Sequence, residues 1–176
     1  MRFDLFAILF ISVAFTSCST ESSTKLDLTQ FDYLKSIEFN QNFKEHQKVL
    51  PNNFKVIESM PEFTRIGFEQ NDLQHEINFE FFNDELFFSA TATIDFTKRI
   101  QDLEIVFEYI EQLTKSKYGA PYFKETFAGE TQVNWHVDPF ETELNRHVSL
   151  RKSDKYITLI WEQFNAFDGL EYDWIY

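Results

Sequence analysis

The stretch INFEFFNDELFFSATATI, residues 77–94, decides the fold class. Ile77, Phe79 and Phe81 alternate with Asn78 and Glu80. After Asn83-Asp84 the run Leu86, Phe88, Ala90, Ala92, Ile94 alternates with Phe87, Ser89, Thr91, Thr93. A period of two places one residue set on each side of a strand, so each run predicts a strand with one buried face. Two such runs joined by Asn-Asp predict an antiparallel hairpin.

Working outward, residues 54–59 and 64–69 are short runs split by Met60-Pro61 and predict a second strand pair. Upstream, Phe43, Gln47 and Leu50 have helical spacing within residues 41–50, and Pro51 stops the helix at its predecessor. Downstream, residues 98–118 predict the main helix. Leu103, Val106, Phe107, Ile110 and Leu113 form its apolar stripe, with Asp102, Glu104, Glu108 and Glu111 away from it. Lys115 and Lys117 suit the negative helix end, Gly119 offers a left-handed cap and Pro121 prevents continuation. Three strands follow, from the alternation of Val133, Trp135 and Val137, of Val148 and Leu150, and of Ile157, Leu159 and Trp161. The expectation is an α+β fold with antiparallel sheet packed against a long helix. The order helix, strands, helix, strands is compatible with a duplicated helix-plus-strands unit and equally with one continuous domain.

The chain holds 22 Phe, 7 Tyr and 3 Trp against 4 Gly and 4 Pro, a composition that excludes a disordered chain. Its 29 acidic and 16 basic residues give a formal net charge of −13. Phosphate neutralisation dominates nucleic-acid affinity, so nucleic acid is not an expected partner. An acidic surface serves solubility, and it also suits a basic protein partner.

At the N-terminus Arg2 precedes an apolar run over residues 5–15, the length of a signal-peptide core and too short to span a bilayer. Phe15-Thr16-Ser17-Cys18 follows, and Cys18 is the only cysteine. These four residues resemble the lipobox of bacterial lipoproteins. The resemblance implies a signal peptide at 1–17, lipid on Cys18, a polar tether over 18–29 and a single domain over 30–176. A plain secretory signal and an N-terminal core helix are the other readings of the same stretch. Lipid would anchor the protein to the cell membrane or outer membrane, facing the periplasm or the exterior, since each buried acyl methylene contributes about 0.8 kcal/mol. Further on, Tyr118-Gly119-Ala120-Pro121, with Trp135 and Trp161 on later strands, resembles small, functionally uncharacterised envelope lipoproteins whose helix ends in Tyr-Gly-x-Pro. That resemblance implies the same compartment and fold and carries no activity.

Candidate chemistry is sparse. His46, His75, His136 and His147 show no zinc spacing, and neither the P-loop nor the G-x-S-x-G pattern occurs, so no catalytic set, metal or cofactor is expected. Asn134, His136 and Asp138 would share one strand face, and His147, Ser149 and Arg151 the next, forming a polar patch if the strands pair suitably. Such a patch could bind metal or shuttle protons, or be an ordinary solvent-facing sheet surface. Tyr172, Trp174 and Tyr176 alternate at the end of the chain as an edge strand or an aromatic anchor for a partner. Two functions follow: a lipid-anchored binding or accessory protein for an envelope partner, with an inhibitor of a secreted toxin as a special case, or a small envelope enzyme or metal binder using the His136/His147 face.

Overall fold

The computed structural model describes residues 26–39, 41–82, 86–137 and 144–165. Cys18, the Asn83-Asp84 turn, Asp138, and Tyr172, Trp174 and Tyr176 lie outside them. Eight strands form one antiparallel sheet: β1 (Lys55–Met60), β2 (Phe63–Gln70), β3 (Leu73–Phe82), β4 (Leu86–Asp95), β5 (Phe123–Phe127), β6 (Glu130–His136), β7 (Leu144–Lys152) and β8 (Tyr156–Asn165). Their order is β1-β2-β3-β4-β8-β7-β6-β5. Two four-stranded meanders therefore meet where β4 pairs β8, Ala90 opposite Trp161 and Ala92 opposite Leu159. The architecture is mixed and mostly sheet, with a single long helix among the described residues.

One face of the sheet is apolar and covered. Ile66, Phe68, Ile77, Phe79, Ala90, Ile94, Val133, Trp135, Val148, Leu150, Leu159 and Trp161 are all buried on it. Their covers come from two segments. The first, here called the strap, comprises residues 26–39 and 41–50. It contains a 3-10 helix, Leu28–Ser36, which buries Phe31, Tyr33 and Leu34, and the short helix α1, Phe43–His46. Leu26 and Leu28 also pack against the core, so packed chain begins ahead of Gln30. The second cover is α2, Leu103–Tyr118, which buries Leu103, Val106, Phe107, Ile110 and Thr114.

Four details differ from the sequence expectation. In α1 the buried position is His46, Leu50 is buried beyond the helix, and Gln47 is exposed. A capping box between Asn42 and Glu45 sets the start of that helix and hence its phase. α2 begins at Leu103, preceded by a 3-10 turn over Ile100–Asp102. The Asp95 carboxylate accepts the Thr97 N–H at 2.7 Å, and Arg99 Nε donates to Asp102 at 2.6 Å, holding residues 96–99 in a turn. On α2, Thr114 is buried beside the stripe because its hydroxyl donates to the Ile110 carbonyl at 2.8 Å. Finally, β5 is an additional edge strand; all five of its residues are exposed, so it carries no alternation of burial to read.

α2 ends at the expected glycine, but Gly119, with φ 86 and ψ −156, lies outside the left-handed helical region expected of the cap. The residue donates its N–H to the Lys115 carbonyl at 2.9 Å. Its own carbonyl accepts the Trp135 indole N–H at 3.1 Å. The Tyr-Gly-x-Pro turn thereby seats the largest side chain of β6.

Candidate functional site

The opposite face of the sheet has no cover among the described residues, and its pairing register lays polar side chains in rows across the strands. One row runs from His136 through His147, Glu162 and Ser89 to Glu80. The next runs from Phe123 through Asn134, Ser149, Ile160 and Thr91 to Asn78. A third runs from Gln132 through Arg151, Thr158, Thr93 and Glu76 to Gly67 and Lys55.

The residues singled out in the sequence separate on this frame. His136 and His147 do come together, directly opposite on β6 and β7 with ring centroids 4.7 Å apart. Asn134 is buried, and its Oδ1 accepts from Ser149 Oγ at 2.8 Å and from Gln132 Nε2 at 3.0 Å. That amide holds β6 to β7 and is not open to a ligand. Arg151 lies four residues along β7 from His147, about 13 Å away at strand rise, so it stands in the third row and not beside the histidines.

Tyr122, which sequence reading passed over, completes the histidine cluster. Its ring stacks on His136 with centroids 3.9 Å apart, and its hydroxyl lies 3.4 Å from His147 Nδ1. The residue follows Pro121 directly, and an aromatic at the exit of the Gly-x-Pro turn is the one signal that could have found it. Burial lowers the His147 pKa and the neighbouring His136 lowers it further. Burial raises the Glu162 pKa; Arg151 opposes this and Glu80 adds to it. Burial raises that of Tyr122 as well, against a hydrogen bond to Asn134. Among the described residues no group of three or more His, Cys, Asp or Glu is arranged to hold a metal ion. The cluster offers stacking surface and hydrogen-bonding groups.

The same face carries a groove of about 740 Å³ in the other half, lined by Lys55, Ile57, Gly67, Glu76, Thr93 and Tyr156 among others. Gly67 forms its floor, and a Cβ there would fall 2.8 Å from Ile57 Cδ1. The register places Arg151 two strands from Thr93 in the same row of the open face, and the groove's own lining does not include it. The groove's residues come from β1, β2, β3, β4 and β8, which no local motif links. No helix among the described residues is long and apolar enough to cross a membrane. Comparison with protein-family models, curated proteins and solved structures finds no match to this chain.

Proposed function

We propose that this is a non-enzymatic binding or accessory protein of the bacterial envelope, anchored by lipid on Cys18, that presents the uncovered face of its sheet to an envelope partner. The observation that carries the reading is the asymmetry of the sheet: one face is sealed by the strap and α2, while the other displays a groove and an aromatic-histidine cluster. A net charge of −13 favours a basic partner. Lipid attachment rests on Phe15-Thr16-Ser17-Cys18, and it places the protein at the cell membrane or outer membrane. The two meanders, each preceded by a helical cover, favour a duplicated helix-plus-strands origin.

The test is affinity capture from detergent-solubilised native membranes with three proteins: wild type, Cys18→Ala, and the open-face variant Tyr122→Ala/Arg151→Glu. A protein retained by wild type and lost with the open-face variant is the expected result, and Cys18→Ala is expected to leave the membrane fraction. Equal capture by wild type and the open-face variant would overturn the surface assignment. A second reading, a metal binder or small enzyme at the histidine pair, is favoured by the 4.7 Å approach of His136 and His147. It requires stoichiometric Zn²⁺ or Cu²⁺ binding by calorimetry that His136→Ala/His147→Ala abolishes.

A further inference from the structure

Two histidines lie on the covered side of the sheet, both at the seam between the strap and β3. His75, on β3, is 2 % exposed; its ring stacks on Phe68 with centroids 4.5 Å apart and lies 5.8 Å from the ring of Phe31. The Tyr33 hydroxyl of the strap sits 2.9 Å from its Nδ1. His46 approaches from the strap side, 0 % exposed, and stacks on Phe79 of β3 at 5.0 Å. Burial holds each imidazole down to about 4. Burial of His46 is the dominant influence; Glu45 on its own helix and Glu38 beyond the 3-10 helix favour the charged form, and Lys117 of α2 opposes it in the same direction as burial. The group facing His75 is the neutral Tyr33, with aromatic rings on its other sides.

Further ties hold the strap to α2. Tyr109 of α2 donates to Asp32 at 2.6 Å, a hydrogen bond that, with Lys35, holds the Asp32 carboxyl below its usual range. Lys117 Nζ donates to the Lys35 and Ile37 carbonyls at 2.6 and 3.0 Å and pairs with Glu38 at 3.2 Å. Under α2, by contrast, no histidine is buried against β6–β8 among the described residues; the charged group there is Lys152 of β7, whose Nζ lies 5.0 Å from the Phe107 ring centroid and pairs with Glu104.

We propose that the strap is an acid-released latch: protonation of His75 and His46 lifts residues 26–50 off β2 and β3 while β6, β7 and β8 stay folded under α2. The sign follows from proton binding. An imidazole released to water returns to about 6.5 and takes up a proton that its buried form refuses, so the closed strap is fully favoured above that value and loses ground as pH falls toward 4. Between pH 8 and pH 5 each imidazole shifts the balance about 30-fold toward the open strap, and the pair about a thousandfold. Release would uncover Phe68 and Phe79, an aromatic surface adjoining the strap's own Phe31 and Tyr33.

Hydrogen–deuterium exchange on the intact chain at pH 7.5 and pH 5.0, corrected for the intrinsic pH dependence of exchange, tests this. The expected result is loss of protection in residues 28–50 at pH 5.0, with 130–136 and 156–162 retaining theirs. The variant His46→Phe/His75→Gln removes both titrating groups, and its strap is expected to keep the same protection at both pH values. Uniform loss across both halves, an unchanged strap at pH 5.0, or a strap that still opens in the folded double variant would each overturn the proposal. If the double variant does not fold, the contrast between the two halves of the wild-type protein decides.

Discussion

The two covers of this sheet solve the same problem with different materials. α2 is sixteen residues long, capped by a glycine and packed on Trp135, Leu159 and Trp161 through an aliphatic and aromatic stripe. The strap is a 3-10 helix and a four-residue α-helix, held by rings, two buried imidazoles and hydrogen bonds borrowed from α2. A long helix satisfies its own backbone and can bury an all-apolar face. Short irregular segments must find partners for their polar groups elsewhere, and those partners bring titratable chemistry into the core. Both fully buried histidines, His46 and His75, accordingly lie in the N-terminal half.

The largest effect is expected from Trp161→Ala, which removes a 1 % exposed ring from the C-terminal half and should cost about 3–5 kcal/mol in urea denaturation. Loss of exchange protection confined to β5–β8 in that variant would show that the halves unfold separately, whereas loss in both would show that the β4–β8 seam makes them one unit. Next is acidification. Moving from pH 8 to pH 5 should destabilise the wild-type chain by about 2 kcal/mol per buried imidazole, and His75→Gln should lose half of that pH dependence in parallel melts. Third, Gly119→Ala adds a methyl with open space around it, but at φ 86 the backbone itself resists. A cost of about 1–2 kcal/mol, read as a lower melting temperature, should follow. The smallest effect belongs to Lys124→Ala, since its pair with Glu111, at 2.8 Å, has the lysine half exposed. A change of no more than about 0.5 kcal/mol is expected from double-mutant cycles.

Much of the fold was legible because burial on one face writes itself into alternation. β3, β4, β6, β7 and β8 each carry a run of apolar residues at alternate positions on the covered side, interrupted by His75 on β3 and ended by Lys152 on β7, and α2 carries its stripe and its stop signals. β5 left no trace because an exposed edge strand has no buried face to mark. The 3-10 helix was equally hidden, because Leu28, Phe31, Leu34 and Ile37 recur every third residue, a 3-10 period and neither the 3.6 nor the 2 that marks the other elements. At the candidate site, the pairing of His136 with His147 followed from strand parity, but the separation of Arg151 and the sealing of Asn134 depended on the register. Register is set by which turns and bulges intervene, as at the shift between Glu80 and Phe81 on β3. Buried histidines are the hardest case, since only tertiary packing distinguishes His46 and His75 from the exposed His136.

The meeting of β4 with β8 also governs how the molecule comes into being. Ser89 pairs with Glu162 and Asp95 with Tyr156, partners more than sixty positions apart along the chain. Closing so long a loop is entropically slow. As the chain is synthesised, β1 to β4 can zip up by local hairpins, but β4 then waits with one edge bare until β8 arrives last among the described strands. Ala90, Ala92 and Ile94, which end at 0, 2 and 1 % exposure, lie on that waiting strand. The interval before β8 docks is when this protein is most open to pairing with the wrong strand.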